Sequence, residues 1–366
     1  MINVLHVVIS LRVGGLERFV VELTKNFSKD VTPLIVCLEE TGELASYVNN
    51  ARVVALNCGI GLKFRSVYKL IDIVRKNKIN IIHTHNEAAH FYGTMTGVLS
   101  RVPVIHTRHG RYLDNNPRKM FLNIISSFFA TKCVGVSQDV TDLMSRMEKI
   151  NTQKTLTILN GIDTNTFSPH SANGENNRSQ NGRGKFIRIG IVARLDIVKD
   201  HSNLLMACYY LNKKNKNFKL FIVGDGPMRK SLENEVEKLQ LEEKVVFTGT
   251  RHDIADILNS LDIYVLSSIS EGMSLTLIEA MSCCLPVVAT DVGGNPEVVV
   301  NGVTGFIIPP QKPKLFTEKI SILINDSILR ESMGVEGRKR VIEKFSIKET
   351  ARKYEDLYYK VLGSCQ

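Results

Sequence analysis

Two glutamates eight positions apart carry the strongest chemical signal in the chain, in Glu271-Gly272-Met273-Ser274-Leu275-Thr276-Leu277-Ile278-Glu279-Ala280. Ser274 is a suitable N-cap, so the pattern predicts a helix starting there. Glu271 then sits in the preceding loop and Glu279 about one and a half turns inside. A helix start offers free N–H groups and a positive dipole end, which suit a phosphate. Carboxylates on either side of that phosphate can bind hydroxyls. A pair of solvated glutamates also fits the spacing by itself.

A basic pair stands in Ala193-Arg194-Leu195-Asp196-Ile197-Val198-Lys199-Asp200. It follows an apolar run, where an arginine fork and a lysine point charge can clamp a diphosphate. Surface cations in a loop are the plain alternative. Val223-Gly224-Asp225-Gly226-Pro227 follows another strand-like run, but Arg229 stands where a G-x-G-x-x-G dinucleotide loop has its third glycine. Gly14-Gly15-Leu16-Glu17 lets backbone approach a ligand between a first strand and a first helix, and it too lacks the dinucleotide pattern.

Histidines gather in the first half: His83, His85, His90, His106 and His109. Their spacing admits zinc, but no cysteine or carboxylate set stands beside them. No metal is expected, and histidines at strand ends suit hydrogen bonds to a substrate. In residues 117–129, Met120, Phe121, Ile124, Ile125, Phe128 and Phe129 form one helical stripe, preceded by Arg118 and Lys119 and followed by Lys132. The stripe reads as a core helix or as a helix meeting a lipid surface.

The elements that position these residues alternate along the whole chain. Val4–Ile9, Leu34–Leu38, Ile79–His83, Val104–His106 and Lys132–Val136 read as strands with helices between them, which predicts a parallel sheet covered on both faces. Ser168–Lys185 has no large apolar residue and reads as a flexible linker. The alternation then restarts at Ile187–Val192 and runs through Leu220–Val223, Val245–Phe247, Ile263–Leu266 and Pro286–Ala289. Two doubly wound α/β domains are expected, at 1–167 and 186–345. A helix in 346–366, with Ile347, Ala351, Tyr354, Leu357, Tyr358 and Val361 at helical spacing, is free to pack back on the first domain.

Composition narrows the function classes. The 366 residues are 43% hydrophobic and 23% charged, which excludes a mostly disordered chain. The net charge is +10, and residues 1–168 hold 20 basic against 13 acidic groups, while residues 186–366 are nearly balanced. An acidic partner is expected on the first half. The chain has no Trp and no aromatic-rich basic strand, which argues against a nucleic-acid partner. The absence of about 18 consecutive apolar residues argues against a spanning helix. The first strand does not read as a signal peptide. Seven scattered cysteines without a C-x-x-C pair fit a reduced, cytoplasmic chain.

Taken in order, these motifs resemble the retaining glycosyltransferases of family 4. The resemblance also rests on Asn160-Gly161-Ile162-Asp163 with Phe167, on Phe247-Thr248-Gly249, and on Gly293-Gly294-Asn295-Pro296-Glu297. It covers nearly the whole chain and implies the GT-B fold, with two Rossmann-like domains facing a cleft. It implies a sugar moved from a UDP- or GDP-sugar to a hydroxyl of a glycan or lipid-linked acceptor, in polysaccharide, glycolipid or lipopolysaccharide synthesis.

By that resemblance Arg194 and Lys199 hold the diphosphate, Glu279 the ribose and Glu271 the donor sugar. Backbone around Met273, Ser274 and Leu275 meets phosphate or sugar, and Gly15 and Gly224 line the donor. His109 matches the family histidine near the reacting sugar, with His106 the competing candidate. Gly14, Gly15, His85, Asn86 and His109 fall on the acceptor side. Neither a metal nor another cofactor is expected. The basic first half suggests peripheral binding to an anionic membrane surface, on the inner face of the plasma membrane. Asp200 departs from the family pattern, which has glycine after the lysine. A nucleotide-sugar epimerase or a non-catalytic sugar-binding protein are the alternatives.

Overall fold

A computed structural model describes residues 1–58, 64–111, 117–170, 186–214, 217–364. The chain forms two units, residues 1–161 with 347–366 and residues 162–346.

In unit 1 the strands are β1 (Ile2–Val8), β2 (Val31–Cys37), β3 (Arg52–Ala55), β4 (Ile81–Thr84), β5 (Val104–Arg108), β6 (Lys132–Gly135) and β7 (Thr155–Thr157). They lie in the order β3-β2-β1-β4-β5-β6-β7, and every pairing is parallel. The helices are α1 (Gly15–Lys25), α2 (Phe64–Lys76), α3 (Glu87–Ser100), α4 (Pro117–Phe129) and α5 (Gln138–Met147). Central strands such as Val4-Leu5-His6-Val7-Val8 read as nearly continuous apolar runs because both sheet faces are covered. Leu5, Val7, Val36, Leu70 and Ile82 meet in one core.

Unit 2 holds β8 (Ile187–Val192), β9 (Phe218–Val223), β10 (Val245–Gly249), β11 (Ile263–Leu266), β12 (Val287–Thr290) and β13 (Gly305–Ile308), in the order β10-β9-β8-β11-β12-β13 and again parallel. Its helices are α6 (His201–Lys213), α7 (Arg229–Lys238), α8 (Ile254–Ser260), α9 (Leu275–Ser282), α10 (Asn295–Val298), α11 (Pro313–Asn325) and α12 (Ser327–Lys344). In each sheet the strand order reverses beside the first strand, between β1 and β4 and between β8 and β11. Ligands of open α/β sheets bind at such a reversal, beyond the carboxyl ends of the strands.

The last helix, α13 (Ile347–Gly363), belongs to unit 1. It buries the six residues expected at helical spacing, and Thr350 Oγ1 donates to Leu159 O at 3.1 Å.

The chain crosses into unit 2 at Ile162, not at the composition break near Ser168. Hydrogen bonds explain the difference. Ile162 N donates to Phe345 O, and Phe167 O accepts from Ser282 Oγ and Arg338 Nη1. Most of the linker expected over 168–185, residues 171–185, lies outside the described residues.

Candidate active site

The E-x7-E segment and the basic pair meet at the β8/β11 reversal of unit 2. Strand β8 ends at Val192 and delivers loop 193–200; strand β11 ends at Leu266 and delivers loop 267–274. Two hydrogen bonds join the loops, Ile269 N to Val198 O at 2.9 Å and Ser267 Oγ to Lys199 O at 2.8 Å.

Two glycines set this geometry by close approach. Gly224 has φ of 133°, and a Cβ there would stand 2.1 Å from Ala193 O. Gly293 has φ of 54°, and a Cβ would stand 2.0 Å from Glu271 O. Both conformations suit glycine and strain other residues. The Gly224 turn therefore supports the Arg194 loop, and the Gly-Gly turn after β12 supports the Glu271 loop. Gly294 N also donates to Gly272 O at 2.7 Å.

Ser274 caps α9, its hydroxyl accepting from Leu277 N at 3.4 Å. Glu271, Met273, Ser274 and Glu279 are buried, and Leu275 is half-buried. Lys199 Nζ donates to Glu271 Oε1 at 2.7 Å, and Ser268 Oγ donates to the same oxygen at 2.6 Å. Arg194 is exposed, and its side chain has no hydrogen bond or ion pair among the described residues. The site thus offers one free guanidinium, one ammonium held by a carboxylate, and a helix start. That set suits a ligand with a diphosphate and neighbouring hydroxyls.

Asp200 takes the place where the family has glycine, and its backbone is left-handed at φ 46°, ψ 52°. Aspartate tolerates that region better than most residues. Its side chain accepts from Asn203 N at 3.3 Å and caps α6. A left-handed position that glycine would adopt freely is thus held here by aspartate.

In unit 1 the expected acceptor-side residues stand at strand ends. His85 follows β4, His109 follows β5, and Asn86 is the N-cap of α3. Gly14 is the N-cap of α1 and Gly15 its first residue, so Gly15 belongs to unit 1 and the other expected donor-binding residues to unit 2. A Cβ on Gly14 would lie 2.2 Å from Glu17 Oε2. The Glu17 carboxylate thus folds back over the start of α1, where burial raises its pKa.

The histidines form a layer. His106 is 1% exposed; its Nδ1 pairs with Thr84 Oγ1 and its ring stacks on His90 at 3.8 Å. His109 is half-buried and keeps an open edge. Desolvation lowers its pKa to about 3, and His6 is pushed down to the same range by the same cause. His6, His83 and His85 each present a ring nitrogen within 4.8 Å of the others, so among the described residues this trio is close enough to hold a metal. Five of the trio's six ring nitrogens already serve hydrogen bonds, and His6 Nε2 has no partner among the described residues. His83 Nδ1 pairs with Tyr358 OH and Nε2 with Thr107 Oγ1, both at 2.7 Å. His6 Nδ1 pairs with His85 Nε2 at 2.9 Å.

Sequence reasoning missed His6, although a lone imidazole in an otherwise apolar strand was a usable signal. It also missed Ser268, which shares Glu271 with Lys199. Tyr354 and Tyr358 were read only as an apolar face, yet their hydroxyls reach Thr107 and His83.

Helix α4 is turned inside out relative to a core helix. It buries Asn123, Ser126 and Ser127 and exposes Met120, Phe121, Ile125, Phe128 and Phe129. Its polar side has partners: Asn123 Nδ2 donates to Glu148 Oε1 at 2.8 Å, Ser127 Oγ pairs with His90 Nε2 at 3.1 Å, and Glu148 in turn pairs with the buried Arg108. Among the described residues no helix is long and apolar enough to cross a membrane.

Comparison with known proteins matches both units. The profile of Glycosyltransferase Family 4 covers residues 13–166, and that of Glycosyl transferases group 1 covers residues 173–340. The UDP-Gal:alpha-D-GlcNAc-diphosphoundecaprenol alpha-1,3-galactosyltransferase of Escherichia coli is 26% identical, over 98% of this chain and 96% of that protein. The capsular polysaccharide biosynthesis glycosyltransferase CapM of Staphylococcus aureus is 28% identical, over 97% and 96%. Among solved structures, a glycosyltransferase from Rickettsia africae aligns with a TM-score of 0.84 at 23% identity, over 99% of this chain and 98% of that one. Anabaena Alr3699/HepE in complex with UDP and glucose aligns at 0.85 and 21%, over 98% and 99%. These likenesses establish the fold class as GT-B. The two family profiles between them take in both units, and the chain belongs to the group 1 glycosyltransferases, family 4.

Proposed function

We propose that this glycosyltransferase moves a sugar from a UDP- or GDP-sugar to a hydroxyl of a glycan or lipid-linked acceptor, with retention at the anomeric carbon. The observation that carries this reading is the gathering of Arg194, Lys199, Glu271 and the α9 start at one sheet reversal. A nucleoside diphosphate gains negative charge as the bond from the anomeric carbon to phosphate oxygen breaks. Arg194, Lys199 and the N–H groups at the α9 start offset that charge, so the reaction proceeds without a divalent metal. The acceptor hydroxyl forms the new bond on the face that the diphosphate leaves, and its proton passes to a diphosphate oxygen. Glu271 and Glu279 bind the sugar and ribose hydroxyls, and His109 is the residue that the family resemblance assigns to the reacting sugar.

The E. coli and S. aureus relatives are named for a diphosphoundecaprenol acceptor and for capsular polysaccharide, which supports a lipid-linked acceptor in surface polysaccharide synthesis. The outward apolar face of α4, beside Arg118 and Lys119, supports docking on an anionic bilayer at the inner face of the plasma membrane. The deciding experiment incubates the protein with UDP- and GDP-sugars and a lipid-linked acceptor in chelator, and reads the product by NMR. Transfer with the anomeric configuration kept is expected. An inverted linkage, or transfer only after a divalent metal is restored, overturns the corresponding part of the reading.

A further inference from the structure

Three imidazoles in unit 1 form a hydrogen-bonded row. His6 Nδ1 lies 2.9 Å from His85 Nε2, and His85 Nδ1 lies 3.2 Å from His109 Nε2. The rings come from the middle of β1 and from the residues just after β4 and β5. His6 and His85 are fully buried, and His109 is fixed further by the edge of Phe19, 5.3 Å between centroids. Burial lowers the pKa of all three, that of His85 also through the neighbouring histidines His83, His6, His109 and His106, so all three are neutral near pH 7.

A neutral imidazole has one N–H, and each contact in the row needs one donor and one bare nitrogen. Only two alignments of the protons satisfy both contacts. If the protons point from His109 toward His6, then His6 keeps its N–H on Nε2. That atom is buried and has no partner among the described residues. Among buried backbone groups an orphaned N–H is rarer than an under-satisfied acceptor, and the same ordering applied to this ring disfavours the first alignment. The opposite alignment leaves Nε2 of His6 bare. His6 Nδ1–H then donates to His85 Nε2, and His85 Nδ1–H donates to His109 Nε2. His109 must carry its own proton on Nδ1, on the side away from the row. His83 cannot divert the row, because Tyr358 and Thr107 occupy both its nitrogens.

We propose that His85, ordered by His6, is a positioning residue that locks His109 in the Nδ1–H form, so that His109 meets its substrate as a hydrogen-bond donor through Nδ1. The substrate part rests on the reading of His109 given under the proposed function; the tautomer lock does not. The test is a long-range proton–nitrogen NMR correlation on the ¹⁵N-histidine-labelled full chain without donor or acceptor. His109 is expected to show a protonated Nδ1 and a bare Nε2. In His85→Phe that lock is lost, and the signals shift toward the Nε2–H form that free histidine prefers. A wild-type His109 protonated on Nε2 overturns the proposal, as does an unchanged Nδ1–H form in His85→Phe. If that variant does not fold, the wild-type spectrum still decides. Because no substrate is present, failure of sugar transfer and failure of the lock are read separately.

Discussion

Lys199 Nζ and Glu271 Oε1 form an ion pair at 2.7 Å at the carboxyl ends of β8 and β11. On the function proposed above, a diphosphate bound beside Lys199 competes with this pair, and it must draw the ammonium away from the carboxylate or share it. Lys199→Ala is therefore expected to weaken binding of a nucleoside diphosphate about 10- to 100-fold, the value of a charged hydrogen bond. Glu271→Gln releases the lysine, so diphosphate affinity should hold or rise while sugar transfer falls. Calorimetric titration of UDP and GDP into both variants checks this. Equal losses of affinity in the two would remove the competition.

Arg194 differs from Lys199 in having an exposed side chain with no partner among the described residues. Arg194→Ala should leave folding stability within about 0.5 kcal/mol of the parent, as surface changes usually do. Diphosphate affinity should still fall about tenfold or more. Arg194→Lys should recover only part of it, because an ammonium cannot reproduce a two-pronged contact. Thermal unfolding and titration separate the two effects; a large loss of stability would assign Arg194 to folding.

Asp200 combines a left-handed backbone with an α6 cap. Asp200→Gly gives up the cap and gains an unstrained backbone, so its stability should stay within about 0.5 kcal/mol of the parent. Asp200→Ala gives up the cap and keeps the strain, and should cost about 1–2 kcal/mol. Chemical denaturation orders the pair. Equal losses in the two variants would remove the backbone argument.

The contrast between Asp200 and His6 shows what a sequence can carry. The strand–helix alternation, the Ser274 cap and the apolar face of α13 were legible because each depends on residues close in the chain. Asp200 stood out only against a family pattern, and its backbone angle was needed to explain it. The His6–His85–His109 row joins three strands, and no local spacing encodes which rings meet. The same holds for Phe167, whose carbonyl contacts moved the start of unit 2 ahead of the composition break. For α4, periodicity gave the stripe but not its direction. Only the buried partners of Asn123 and Ser127 turn the apolar face outward.

The histidine layer predicts acid sensitivity. Burial lowers His6, His90 and His109 from an ordinary value near 6.5 to about 3. A buried neutral histidine binds fewer protons than the unfolded chain below pH 6.5. Its contribution to stability is therefore complete above that pH and is lost as pH falls toward 3. Each such histidine contributes a slope of about 1.4 kcal/mol per pH unit in that window. Melting temperature should fall steadily between pH 6.5 and 5, and His90→Phe should flatten the fall by one proton's worth. A melting temperature constant over that range would contradict the buried neutral layer.

The outward face of α4 makes the last prediction. Phe121 and Phe128 are 62% and 72% exposed, so little of either ring is buried by folding. Phe121→Ser with Phe128→Ser should leave the melting temperature nearly unchanged, whereas core phenylalanines lose about 3–5 kcal/mol on truncation. The proposed binding to a bilayer would draw on that same exposed apolar area and on nearby lysine and arginine charge. Co-sedimentation with anionic vesicles at low salt should therefore be strong for the parent and largely lost in the double variant. Neutral vesicles should bind the parent weakly. Equal sedimentation of parent and variant would leave α4 without a membrane role, and loss of the fold in the variant would show that the helix packs its aromatic face inward.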